Sequence, residues 1–287
     1  MHAINSDTEI AMAEAGLVPG QSPSPLRLPD FARIFGLRAE RLHQLVPGSS
    51  LNEWIAFLAS LSDAQKKVAE QNLEAAATPE EQWRQDLRAI LDALLANHLP
   101  LPILTAVNIL STAGDDVLLP LAERLEAGQA EAGDLQLAPF IVAAQQVAWT
   151  RHAASLNAED IHAPATAHTC PVCGSAPVAG IHHVGKASGL RYLHCGQCNT
   201  AWHHVRAACV ACGDGSNVSY RFIESQDGPA RAETCDHCHS YLKLLLADKA
   251  PGIDAVADDL ASLGLDLLVG EEGYQRIGIN PFLLQGE

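Results

Sequence analysis

The chain has 287 residues, 48% of them hydrophobic, and carries 18 Lys and Arg against 34 Asp and Glu, a formal net charge of −16. That length accommodates one large domain or two modest ones, with enough apolar residues for a real core. Such an acidic balance argues against a nucleic-acid partner, since binding a phosphate backbone requires clustered Lys and Arg.

The charge is unevenly spread: −11 over residues 1–167, zero over 168–242 and −5 over 243–287. Met1–Ile10 has neither a basic stretch nor an apolar run, and the richest apolar segment, Leu87–Leu110, is broken by Asp92, Asn97, His98 and two prolines. The expectation is no export signal, no membrane span and a cytoplasmic location.

Taken in order, residues 1–29 read as a flexible leader, punctuated by Gly16, Pro19, Gly20, Pro23, Pro25 and Pro29. Helical patterning begins at Asp30, a candidate cap, and continues through Ile34, Phe35, Leu42 and Leu45 until Pro47-Gly48. Ser50 with Glu53 reads as a capping box ahead of Leu51, Trp54, Ile55, Leu58 and Leu61, and residues 63–77 continue in helical composition. The clearest helix spans 78–97: Thr78 caps, Pro79 occupies the first turn, Glu81 completes the box, and Trp83, Leu87, Ile90, Leu91, Leu94 and Leu95 share a face. Further helices are expected near 103–112, 115–127 and 137–155. No strand alternation precedes residue 165, so residues 30–165 read as an all-helical domain of six or seven helices. The paired acids Glu80/Glu81 and Asp115/Asp116 carry no catalytic reading, because adjacent helical side chains point apart and helix starts favour acids.

All eight cysteines fall between Cys170 and Cys238, in four Cys-x-x-Cys pairs: Cys170/Cys173, Cys195/Cys198, Cys209/Cys212 and Cys235/Cys238. Two such pairs can close a tetrahedral four-thiolate site suited to zinc or to a single iron. Four pairs therefore imply two metal ions per chain, with all eight cysteines as ligands. Gly174 and Gly213 directly follow second cysteines, where a tight turn needs positive φ. Gaps of 21 and 22 residues inside the outer pairs flank a gap of ten, and the spacing repeats at 39 to 40 residues. This favours two consecutive ribbons, 166–203 and 204–245, each holding a hairpin; interleaved bracing stays open. Stable disulfides are unexpected in a reducing compartment, and a thioredoxin-type motif occurs singly beside a βαβ unit. Four thiolates leave no open coordination position, so the metal reads as structural rather than catalytic.

Strands are expected at Gly189–Cys195, Thr200–Arg206 and Asn217–Ile223, with Ser240–Leu246 closing the module. Eight of the 13 histidines lie here: His168, His182, His183, His194, His203, His204, His237 and His239. With both sites filled by cysteine, they read as strand-surface and flanking residues. Residues 246–287 supply an amphipathic helix over 252–269 and an aromatic, apolar tail. The fold class is therefore α+β and multi-domain: an N-terminal all-α domain, two small β-rich modules of rubredoxin or zinc-ribbon type, and a C-terminal helix and tail.

Gly189-Leu-Arg-Tyr-Leu-His-Cys-Gly-Gln-Cys198, Ala201-Trp-His-His-Val-Arg206, Glu233-Thr-Cys-Asp-His-Cys-His-Ser-Tyr-Leu-Lys243, Ala255-Val-Ala-Asp-Asp-Leu-Ala-Ser-Leu263 and the tail from Glu272-Gly-Tyr to Asn280-Pro-Phe-Leu283 resemble the formate dehydrogenase accessory proteins of the FdhE family. The resemblance implies a non-enzymatic cytoplasmic maturation factor that binds the catalytic subunit of formate dehydrogenase before export. It also implies rubredoxin-like iron at the eight cysteines, with zinc the alternative. Other readings are a zinc-ribbon adaptor for nucleic acid or another protein, and a thiol or persulfide carrier enzyme, which would need reactive low-pKa cysteines. Oligomeric state stays open, a homodimer included.

Overall fold

The computed structural model describes residues 23–71, 78–182, 190–206, 208–223 and 228–283. The leader reading over 1–22, the helical reading over 72–77, and His183, Lys186 and Gly189 lie outside them. The chain divides into two compact units, one of residues 29–155 with 281–283, the other of 23–28 with 156–280.

The first unit is helical: α1 (Ile34–Leu45), α2 (Asn52–Glu70), α3 (Pro79–Leu95), α4 (Leu101–Thr112), α5 (Asp115–Glu126) and α6 (Ala138–Ser155). Each of the first three buries the stripe its 3.6-residue period dictates, such as Ile55, Leu58, Leu61 and Val68 on α2. The α6 helix is buried nearly all round, and its polar side chains find partners. Gln146 Oε1 accepts from Gln65 Nε2 at 3.1 Å and from Arg38 Nη1 at 3.4 Å. Arg151 grips the fully buried Asp86 through two hydrogen bonds of 2.7 and 2.8 Å. Burial lifts the Asp86 carboxyl above the usual carboxylate range, and Arg151 pulls it back only in part.

Two helix starts differ from the sequence reading. Thr78 sits at the N-cap in extended conformation, yet its side chain makes no capping bond. The Glu81 amide that a capping box would satisfy donates instead to the Thr78 carbonyl, at 3.2 Å. At α2, Ser49 Oγ accepts from the Leu51 amide and Asn52 Oδ1 from the Glu53 amide, in place of the Ser50–Glu53 box.

The second unit is built on one eight-stranded sheet: β1 (Leu26–Arg27), β2 (Pro177–His182), β3 (Arg191–Cys195), β4 (Ala201–His203), β5 (Val218–Arg221), β6 (Ala230–Cys235), β7 (Ser240–Leu246) and β8 (Gln275–Arg276). The order is β1-β4-β3-β2-β7-β6-β5, with β8 also against β7. Each expected ribbon contributes an antiparallel three-stranded meander, and the two join where β2 pairs β7 in parallel, Gly180 opposite Leu244. Second-ribbon strands thus follow the first by translation. The short β1 was not expected; two residues carry no alternation, and what holds them extended is a distant strand, with Leu26 opposite Trp202.

The single helix expected over 252–269 is two, α7 (Ala257–Leu260) and α8 (Leu263–Glu271). The break coincides with a side chain reaching in from the sheet. Lys243 Nζ, from β7, takes the Asp259 carbonyl at 2.6 Å, and Ser262 Oγ donates to the Asp258 and Asp259 carbonyls. Lys243 is fully buried and also pairs with Asp259 Oδ1 at 2.9 Å and Asp266 Oδ2 at 2.5 Å. Arg276 completes the network on the same two carboxylates. Leu265 and Val269 of α8 pack on Ala232 and Tyr241, covering one face of the sheet there. Among the described residues no helix is long and apolar enough to cross a membrane.

Candidate metal centres

The four Cys-x-x-Cys pairs lie at the tips of the meanders and share one six-residue turn: Cys-Pro-Val-Cys-Gly-Ser from 170, Cys-Gly-Gln-Cys-Asn-Thr from 195, Cys-Val-Ala-Cys-Gly-Asp from 209 and Cys-Asp-His-Cys-His-Ser from 235. The first-cysteine amide donates to the carbonyl five residues on, at 2.8 Å for Cys170 and Cys209 and 2.9 Å for Cys195. The amide after the second cysteine donates back to the first-cysteine carbonyl at 2.9 Å from Gly174, Gly213 and His239. That closure needs left-handed backbone at the fifth position, and all four turns have it: φ is +77° at Gly174 and Gly213, +58° at Asn199 and +52° at His239.

The turns bring the sulfurs together consecutively, not interleaved. Cys170, Cys173, Cys195 and Cys198 form one group and Cys209, Cys212, Cys235 and Cys238 another, each with its sulfurs within 4.8 Å of one another. Four sulfurs set about 2.3 Å from a central ion form a tetrahedron with edges of about 3.8 Å. The close separations, 3.4 Å for Cys173–Cys195, 3.5 Å for Cys170–Cys198, 3.6 Å for Cys209–Cys238 and 3.7 Å for Cys212–Cys235, fit that frame. Each group could hold one metal ion, and the donor set suits zinc or iron alike. Among the described residues no histidine joins either group.

Models of the FdhE N-terminal, central and C-terminal domains match residues 23–166, 169–206 and 207–283. The chain is 37% identical over 286 residues to a protein FdhE homolog of Edwardsiella ictaluri, with 92% of each chain covered, and 34% identical to protein FdhE of Salmonella paratyphi B at the same coverage. The chain belongs to the FdhE family. Its fold is similar to the crystal structure of the FdhE protein from Pseudomonas aeruginosa, with a TM-score of 0.78 at 31% identity over 91% of this chain and 99% of that one.

Around the sulfurs of this FdhE-family chain the surroundings repeat in three of the four turns. The sixth turn residue places a hydroxyl beside the second sulfur: Ser175 Oγ lies 3.4 Å from Cys173 Sγ, Thr200 Oγ1 3.2 Å from Cys198 Sγ and Ser240 Oγ 2.9 Å from Cys238 Sγ. In the third turn Asp214 holds that place and accepts from the Ser216 and Asn217 amides. Amides of Gln197 and Cys198 donate to Cys195 Sγ at 3.3 and 3.4 Å. Such groups favour thiolate over thiol.

Sulfurs this close oppose one another's ionisation when no cation lies between them. Hydrogen bonding with the Cys170 sulfur holds Cys173 well below the usual thiol range, while Cys195 and Cys198 are pushed well above it by the other sulfurs and by burial. In the second group burial opposes ionisation of Cys238, but the Ser240 hydroxyl and the Cys212 sulfur bring it down to about 7. A central dication relieves this conflict, since it favours the anionic form of every ligand.

Sequence reasoning missed Asn199, His239 and the three hydroxyls, although superposing the four turns exposes them. It also missed the joint between the ribbons. The buried Arg191, on β3, donates to Glu233 of β6, to His204 Nδ1 at 2.7 Å, and to the carbonyls of Val205 and Ala208. His204 is therefore an acceptor at Nδ1; burial and the Arg191 charge lower its pKa to about 4. Of the other histidines, His168 Nδ1 contacts the Val210 carbonyl and His203 packs edge-on against Tyr192.

Proposed function

We propose that this chain is a non-enzymatic, cytoplasmic assembly factor that binds the catalytic subunit of a formate dehydrogenase before that enzyme is exported. All eight cysteines are metal ligands, one ion per group of four, with rubredoxin-like iron favoured by the family resemblance and zinc the alternative. The observation that carries this reading is the pair of closed four-sulfur groups in an FdhE-family chain. Four protein ligands leave no coordination position for substrate, which supports scaffolding over catalysis.

The ions would do two things here. Each would clamp two turns separated by more than 20 residues of sequence, fixing the meander against which the rest of the unit packs. If the ion is iron, it would also supply a one-electron couple, close to the surface in the second group, with the hydroxyls of Ser175, Thr200 and Ser240 tuning the sulfurs.

The test is capture from anaerobically grown cells with a tagged full-length chain, together with metal analysis and an absorption spectrum before and after air. Retention of the formate dehydrogenase catalytic subunit with two metal ions per chain supports the proposal. Consistent absence of that subunit from the captured material sinks it. Iron–thiolate bands on oxidation select iron; two spectroscopically silent ions select zinc.

A further inference from the structure

A cavity of about 230 Å³ opens on the sheet of the second unit, away from both sulfur groups. Its size suits one side chain rather than a cofactor, since ligand pockets usually exceed about 300 Å³. Three of the five basic residues of a module with no net charge, Arg191, Arg206 and Arg231, line it. Arg191 and Arg231 are repeat-equivalents, four residues before Cys195 and Cys235. Arg191 is spent on Glu233, although its buried Nε–H has no acceptor among the described residues. Among the described residues Arg231 donates only to the carbonyls of Gly228 and Ala230, and it stacks on Phe222 at 4.8 Å. Neither Arg231 nor Arg206 meets a carboxylate among the described residues. The rest of the wall is His182, Glu233, whose carboxylate is already held by Arg191, and the apolar or aromatic Leu244, Leu246, Tyr220 and Phe222, the last two 46% and 51% exposed.

The cavity adjoins an open sheet edge. At the other end of the sheet β4 is covered by β1, but β5 pairs only β6 among the described residues. In the first ribbon the counterpart of β5 is β2, and its outer side takes β7 as a parallel strand. The equivalent side of β5 is thus built to accept an extended segment, whose alternate side chains would fall beside Tyr220 and Phe222.

We propose that this edge and cavity bind an extended peptide segment of a protein partner, and that an acidic side chain of the segment enters the cavity between Arg206 and Arg231. The aliphatic stem of Glu or Asp would lie on Leu244, Leu246 and Phe222 while its carboxylate meets the two guanidinium groups. Naming the partner as the formate dehydrogenase subunit rests on the function proposed above; the carboxylate site does not.

The test uses the full-length, metal-loaded chain and fluorescence anisotropy with a labelled heptapeptide of alternating Val and Glu, beside the same peptide with Gln for Glu. The Glu peptide should bind about tenfold more tightly, and Arg206→Ala or Arg231→Ala should each weaken it by about tenfold, as expected for a charge-assisted hydrogen bond. Metal content and melting temperature should stay at wild-type values in both variants. Equal binding of the two peptides, no binding of either, or binding indifferent to both substitutions overturns the inference. Displacement by millimolar sulfate without any preference for the Glu peptide reveals a site for free oxyanions and overturns the peptide occupant. If the Glu peptide binds as described while wild-type chain never captures the catalytic subunit, the site stands and the client assignment falls.

Discussion

The shared turn makes a prediction with two opposite signs at one metal site. Gly213 and His239 hold the same place in the two turns of the second group, with φ of +77° and +52°. A Cβ added at Gly213 would meet nothing within 4 Å, so Gly213→Ala costs backbone conformation alone. That cost is about 1–2 kcal/mol for an L-residue in the left-handed region. Because the turn must close for its two sulfurs to converge, the cost falls on metal binding and weakens it by about 5- to 30-fold at 1.4 kcal/mol per decade. His239→Gly relieves the same strain, offset by the roughly 0.5–1 kcal/mol of entropy that glycine loses on ordering. Among the described residues its one ring contact is with Tyr274 at 6.0 Å, near the surface, so the net should be a gain of roughly 0.5 kcal/mol, about twofold tighter binding. Chelator competition on the full-length chain reads both, with the first group as an internal reference. Two variants moving in the same direction, or Gly213→Ala without effect, would refute the argument that left-handed backbone at this position sets affinity.

Other consequences follow from buried groups. Lys243→Met removes the more deeply buried of the two cations that Asp259 and Asp266 share and leaves Arg276 alone against both carboxylates; urea unfolding of the metal-loaded chain should show a loss of about 3–5 kcal/mol, the cost of breaking a buried ion pair by removing one partner. Gly278→Ala would place a Cβ 2.0 Å from the Pro177 carbonyl oxygen, where β2 begins; a loss of about 1–3 kcal/mol is expected, and a melting temperature equal to wild type would show that the backbone yields there. His204 has a folded pKa lowered to about 4 against an unfolded value of about 6.5. The unfolded chain therefore binds the proton first, so this group's contribution is complete above about pH 6.5 and is lost as pH falls toward 4. His204→Gln keeps an acceptor for Arg191 and removes the titration, so the stability difference between wild type and variant should shrink between pH 7 and pH 5; a difference constant across that range would contradict the assignment.

What could be read from the chain before its structure was local. Cysteine spacing carries the two metal groups, because a Cys-x-x-Cys turn is closed by its own backbone. The six long helices follow from apolar period and from Pro79 and similar start signals. Two of the misses are cases where a distant residue decides. Leu26 becomes a strand because Trp202 lies opposite it. The helix over 252–269 breaks because Lys243, some 16 residues earlier, takes the Asp259 carbonyl. The Ser50–Glu53 box gives way because the neighbouring Asn52 side chain takes the Glu53 amide, while Ser49 takes that of Leu51. His239 in left-handed backbone was hidden because histidine does not announce positive φ as glycine does; only alignment with Gly174 and Gly213 reveals it.

The translation that relates the two ribbons also leaves them unequal. In the first group Cys170, Cys195 and Cys198 are buried, whereas in the second Cys212 and Cys238 lie at the surface. The donors are the same, the turn is the same, and the spacing differs by a single residue. Ligand exchange and electron transfer both require something to approach a metal–sulfur bond, so equal donors at unequal depth cannot have equal chemistry. The first group has the character of a clamp: its sulfurs are enclosed and it anchors β2, the strand onto which the second ribbon pairs. The second presents two sulfurs to solvent beside His237 and His239, in the ribbon whose outer strand ends the sheet. One repeated turn thereby leaves one group of sulfurs enclosed in the fold and the other open to the outside.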